Sequence, residues 1–172
     1  MIDGTVADKL RDNISGKVLP SESLRNHTTY RTGGRAELLV IAADGNDAQW
    51  VYRFASDNGH RLTIIGAGSN IIVPDSGIEG IVLKTKSEDA RIDFRNDGKV
   101  AIDAGVYLDS LIRSAAGRNM GGFEHIAGIP GTVGGALVMN AGTNDGDVSV
   151  IIDSAEAITP GGELLNLSLI HI

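Results

Sequence analysis

Cysteine is absent from the chain, which excludes disulfide frameworks, thiol nucleophiles and thiolate metal sites. Lysine and arginine form no cluster and the net charge is −7, so neither a nucleic acid nor a membrane surface suits it as a partner. Backbone donors can still hold a small anion in an acidic protein. The amino terminus, MIDGTVADKL, has no basic segment followed by an apolar one, and every apolar run is broken by glycine, proline or charge well short of a membrane span. A soluble, cytoplasmic protein is expected. His27, His60, His125 and His171 have no partners at metal-ligand spacing, so no metal site is expected.

Glycine is abundant, with 23 in 172 residues, and points to a loop-rich α+β fold rather than a helical bundle. One domain or two small subdomains fit this length. The chain is organised around RLTIIGAGSNIIVPD, Arg61 to Asp75. Leu62, Ile64 and Ile65 predict a short buried strand that runs into Gly66-Ala67-Gly68-Ser69-Asn70. Without Cβ atoms, successive N–H groups there can converge on one anion, and Ser69 and Asn70 add side-chain donors. The dinucleotide fingerprint lacks its third glycine, because Ile71 stands there, and Ile71-Ile72-Val73-Pro74 opens no helix. Glu88, about twenty residues on, sits where that fingerprint's ribose-binding acid would be, and without the helix it is a coincidence.

Thr5 to Arg11 predicts a helix, followed by a polar connector to Leu19-Pro20-Ser21. Asn26 to Gly34, NHTTYRTGG, is either a turn or a binding edge, with the turn favoured. Ala36–Ile41, Asp47–Asp57 and Leu62–Ile65 then read as strand, helix and strand, with Asp44 to Asn46 as cap, Asn58-Gly59 as stop, and Trp50 and Phe54 as core. This puts the Gly66 loop at the carboxyl end of a strand, where open α/β layers bind ligands. Gly80 to Lys84 is another strand. Ala90–Phe94 and Val100–Ala104 predict a hairpin turning at Asn96-Asp97-Gly98, and Leu108 to about Arg118 a helix. The change in pattern between Lys84 and Asp89 marks a subdomain boundary.

A second glycine cluster runs from Gly121 to Gly142, GGFEHIAGIPGTVGGALVMNAG. Pro130 and Gly131 suit a turn into a short small-residue helix whose N–H groups would face an anion or a flat ring. Close packing of such a helix on a sheet is the equal alternative. No Gly-Lys-Ser/Thr follows, which excludes a Walker loop. His125 beside Glu124 is expected to be structural.

IIGAGSNIIV and GIPGTVGGALVMNAG, with NHTTYRTGG upstream, closely resemble the UDP-N-acetylenolpyruvoylglucosamine reductase (MurB) family over roughly Asn26 to Glu163. The resemblance implies the FAD-binding fold of the p-cresol methylhydroxylase and vanillyl-alcohol oxidase type, with two α+β subdomains. The expected division is 1–25 as helix and connector, 26–85 as the first subdomain and 86–172 as the second. It also implies non-covalent FAD, with Gly66, Ala67, Gly68, Ser69 and Asn70 on the pyrophosphate and Tyr30, Arg31 and Thr32 near the cofactor. Ile129, Pro130, Gly131, Thr132, Gly134 and Gly135 would lie on the flavin side with Asn140, Ala141 and Gly142. The implied reaction uses NADPH to reduce a UDP-N-acetylglucosamine enolpyruvate to UDP-N-acetylmuramate in peptidoglycan precursor synthesis. The family's Tyr-Arg arginine, serine proton donor and glutamate have no counterparts here, and Ser168 is no substitute. The chain is therefore expected to be an amino-terminal fragment without the substrate domain, inactive alone, whose last residues need not be native. Thr143 to Asp147 departs from the family's Ala-Tyr-Gly-like segment. A flavin-binding module without its own chemistry and a related FAD oxidase are the alternatives.

Overall fold

The computed structural model describes residues 2, 4–85 and 90–168. Glu88, most of the expected boundary segment and the final residues 169–172 lie outside the described residues. Helix α1 (Gly4–Asn13) leads into strand β1 (Lys17–Pro20), and strand β2 (Ala36–Ile41) is followed by helix α2 (Gly45–Asp57), strand β3 (Leu62–Ile65) and strand β4 (Ile78–Lys84). These four strands form one sheet in the order β1, β2, β4, β3. β1 is antiparallel to β2, whereas β2, β4 and β3 are parallel. The expected strand-helix-strand unit is present, but β4 occupies the gap between its two strands. Lateral order is invisible to sequence periodicity, which reports only what each strand buries.

Both faces of the sheet are covered, as parallel strands require. On one face Leu38, Val40, Ile81 and Leu83 pack with Ala7 and Leu10 of α1 and Val51, Phe54 and Ala55 of α2. On the other, Leu39, Ile65 and Val82 pack beneath Leu24 and Val73, which belong to loops. The cap of α2 is Asp44, whose carboxylate accepts the N–H groups of Asn46 and Asp47 at 2.9 and 3.0 Å. Asp47 in turn accepts from Ser15, Gly16 and Ala43, which ties the entry to β1 onto the helix.

Two expectations need correction here. The stretch expected to be a polar connector contains β1, because Val18 and Leu19 alternate onto the two apolar faces. Ile64, expected to be buried, is 47% exposed. It pairs with Leu83 on the helix-covered face, but β3 is the edge strand and the cover stops short of it.

The second half is lighter. A hairpin of β5 (Ile92–Phe94) and β6 (Val100–Ile102) precedes helix α3 (Leu108–Ala116) and the short helix α4 (Val133–Met139). β7 (Gly142–Thr143) pairs with β8 (Gly146–Asp147), and β9 (Ser154–Ile158) with β10 (Leu164–Ser168). Leu108, Ile126, Ala136 and Val148 make its core. The turn between β9 and β10 reaches back to the first half, where Gln49 donates to the Gly162 carbonyl at 2.7 Å. Among the described residues no helix is long and apolar enough to cross a membrane.

Candidate functional site

Three segments far apart in sequence meet beyond the carboxyl end of β3. The Gly66 loop is held from behind by residues 27–29, with Thr29 N–H donating to the Gly68 carbonyl at 2.9 Å. Gly68 has φ +76°, and a Cβ built on it would collide with the His27 carbonyl oxygen. Only glycine supplies both the dihedral and the clearance. From the other side Ser69 Oγ donates to the Pro130 carbonyl at 3.0 Å, and a Cβ on Gly66 would stand 2.5 Å from Thr132 Oγ1. The two glycine clusters and the NHTTYRTGG segment therefore form one locus.

The backbone N–H groups of Ala67, Gly68, Ser69 and Asn70 donate to no other group of the chain among the described residues. Gly68 is buried and Ser69 half-buried, and four successive donors without an acceptor in the chain make this turn a candidate anion cradle. Ala67 is half-buried and Asn70 exposed, so its mouth is accessible. Beside Gly68, Thr28 Oγ1 is the buried side-chain polar atom without a hydrogen-bond partner among the described residues. Such an orphan in a native fold calls for a missing partner.

In the second cluster the helix start is closely packed, one of the two alternatives expected. The helix expected after Pro130-Gly131 is present as α4, yet its first N–H groups do not face outward. Val133 donates to Val106 O at 2.8 Å, Gly134 to Ala104 O at 2.9 Å and Gly135 to the Thr132 hydroxyl at 3.3 Å. A bridge between Tyr107 and Thr132 brings the chain before α3 across the start of α4 and engages these donors. A Cβ on Gly134 would lie 2.8 Å from that of Ala104, so close packing explains this glycine. Thr132 is buried as the N-cap. The Leu108 N–H binds the Gly131 carbonyl, and Ile129 packs on the second core.

Tyr30 is exposed, Arg31 takes a left-handed φ of +53°, and Thr32 is exposed. All three sit on the segment that wraps the Gly66 loop. Asn140 closes α4 in the left-handed region and accepts from Ser149 N–H, Ala141 packs inward, and Gly142 enters β7. The Thr143 to Asp147 segment forms the β7–β8 turn. His125 Nε2 lies 3.0 Å from the Asp147 carbonyl, the structural role expected of it. Asp147 itself is held below the usual carboxylate range, chiefly by the Ser149 hydroxyl.

His27 has polar neighbours that its sequence spacing did not point to. Its Nε2 is 3.1 Å from Glu22 Oε1 and its Nδ1 3.5 Å from Lys84 Nζ. Glu22 is five residues away in the chain, but Lys84 is 57 away on β4, where no local spacing could reveal it. The His27 contact, followed by one from Asn26, holds Glu22 below its usual value.

A family model described as FAD binding domain matches residues 36–168. The UDP-N-acetylenolpyruvoylglucosamine reductase of Clostridium tetani is 39% identical over 155 residues, covering 90% of this chain and 50% of that protein. Its counterpart in Desulforamulus reducens is 35% identical over the whole chain and 56% of its own length. The chain spans about half the length of the curated relatives it matches. Among solved structures, the reductase from Thermus caldophilus has a TM-score of 0.75 at 25% identity, covering 91% of this chain and 53% of that one. 6-Hydroxy-D-nicotine oxidase from Arthrobacter nicotinovorans has a TM-score of 0.68 at 23% identity, covering 90% of this chain and 36% of its own, a likeness of fold. The expected α+β fold class and the resemblance to the reductases are both borne out.

Proposed function

The chain belongs to the FAD binding domain family, and from that premise we propose that it carries the FAD site of a UDP-N-acetylenolpyruvoylglucosamine reductase. In the whole protein the activity would be the cytoplasmic, NADPH-dependent reduction of a UDP-N-acetylglucosamine enolpyruvate to UDP-N-acetylmuramate, a step of peptidoglycan precursor synthesis. The observation that carries this reading is the row of four open N–H groups from Ala67 to Asn70, at the place where the three family-like segments meet.

The residues present fit FAD. The Gly66 loop offers main-chain donors to a pyrophosphate. Thr28 adds an unpartnered hydroxyl at the same seam. Tyr30, Arg31 and Thr32 would flank the cofactor from the wrapping segment. Ile129, Pro130, Gly131, Thr132, Gly134 and Gly135 would form the flavin-side wall with Asn140, Ala141 and Gly142. When bound, FAD supplies the hydride chemistry, and the protein contributes binding and orientation. No side chain of this chain is assigned proton delivery, so it binds the cofactor without turnover.

Titration of the purified chain with FAD, read by flavin fluorescence, tests this. Saturable binding is expected. Ala67→Asp should weaken it on the order of a hundredfold, because a carboxylate placed beside the pyrophosphate opposes it by a few kcal/mol. A folded wild-type chain that binds no FAD, or an Ala67→Asp chain that binds as well as wild type, overturns the proposal.

A further inference from the structure

We propose that Tyr30 and Ile72 form an apolar lip that takes the adenine ring of a dinucleotide whose diphosphate sits on the Gly66 loop. The proposal rests on the FAD reading above and adds to it a subsite and a residue, Ile72, so far without a role. The segment that wraps the Gly66 loop and the chain that leaves it run side by side in the same direction. Thr29 N–H donates to the Gly68 carbonyl at 2.9 Å, a Cβ on Gly33 would stand 2.5 Å from that of Val73, and Gly34 N–H donates to the Pro74 carbonyl at 2.9 Å. This register sets Tyr30, the residue after Thr29, beside the stretch that carries Ile72, which follows Asn70 and Ile71.

Ile71 and Val73 pack onto the core of the sheet. Ile72 between them is left 80% exposed, and Tyr30 is 57% exposed. A single exposed apolar side chain is ordinary. Here two large ones stand on adjacent segments at the edge of the four open N–H groups, and neither adds to the core. A dinucleotide carries a flat ring on each side of its diphosphate. One side of the Gly66 loop meets the second glycine cluster through Ser69 and Pro130, the wall proposed for the flavin. The wrapping segment holds the other side, so its lip falls to the adenine. A tyrosine ring stacks on a base whatever its hydrogen-bonding edge, and an aliphatic side chain beside it adds buried apolar area.

Displacement of FAD from the purified chain, read by flavin fluorescence, tests this with three competitors. ADP has the adenine and the diphosphate, FMN has the flavin and one phosphate, and inorganic pyrophosphate has neither ring. ADP should compete about tenfold better than pyrophosphate. Ile72→Ser and Tyr30→Ala should each weaken FAD and ADP by about tenfold and leave FMN and pyrophosphate unchanged. Both side chains are exposed, so thermal melts of the variants should match wild type. Equal competition by ADP and pyrophosphate, or none by either, overturns the proposal, as does an Ile72→Ser chain that binds FAD as tightly as wild type. Loss confined to FAD and FMN overturns it too and gives the lip to the flavin, and an equal loss for pyrophosphate overturns it by assigning both residues to the anion cradle. Failure of the wild-type chain to bind FAD overturns the underlying FAD reading and is recognised before any competitor is added.

Discussion

The two glycine loops that meet at this site both use glycine for close packing but leave their N–H groups in opposite states. In the Gly66 loop the missing side chains let His27 and Thr132 stand against the turn, and four successive N–H groups have no acceptor in the chain among the described residues. At the start of α4 the missing side chains let the chain before α3 come close, and Val106, Ala104 and Thr132 engage the N–H groups of Val133, Gly134 and Gly135. One loop leaves its donors open and the other engages them within the chain. A glycine-rich sequence states that side chains are excluded, but not whether the N–H groups beside them are already taken.

The contrast is broken most severely at Gly68. Gly68→Ala forces a side chain into a left-handed residue and against the His27 carbonyl. The dihedral strain and the overpacking together should lower stability by about 2–4 kcal/mol, measured by chemical unfolding. Loss of less than about 1 kcal/mol would mean that the clamp behind the loop is loose. Thr132→Val is the milder counterpart in the other loop. It keeps the shape of a buried side chain but removes the acceptor for Gly135, and an N-cap of this kind is worth about 1 kcal/mol. Chemical unfolding is the readout, and a Thr132→Val chain of unchanged stability would show that the Gly135 N–H does not depend on the Thr132 hydroxyl.

Much of this was legible in the sequence. The bounds of β2 and β3 are those expected, because apolar runs stopped by glycine and polar residues carry both type and length. Asp44 as cap and the helix after Pro130-Gly131 follow from local chemistry that needs no tertiary context. The insertion of β4 between β2 and β3 was not legible, nor was the exposure of Ile64 that follows from it, since edge and centre strands share one periodicity. The engagement of the α4 donors depends on Ala104 and Val106, which lie some thirty residues earlier and have no polar side chain to advertise it. The Glu22–His27–Lys84 row unites a loop and a strand end 57 positions apart. Only the fold creates it.

The gentlest lever on the clamped loop is that row's carboxylate. Glu22 pairs with His27 at 3.1 Å, partly exposed at the surface, so its contribution belongs to the range of about 0.2–1 kcal/mol typical of such pairs. The His27 contact holds its folded value below the ordinary one. A carboxylate lowered on folding adds stability that is fully present above its unfolded value, near 4.3 for glutamate, and is lost as pH falls through the lowered folded value. Glu22→Gln removes this contribution. Thermal melts of the two chains should therefore differ, with wild type slightly higher, from neutral pH down to about pH 5, and should converge toward pH 3. Gaps that stay constant across that range would assign the difference to packing of the side chain, and a wild type that melts lower at neutral pH would show that the pair does not brace the segment behind Gly68.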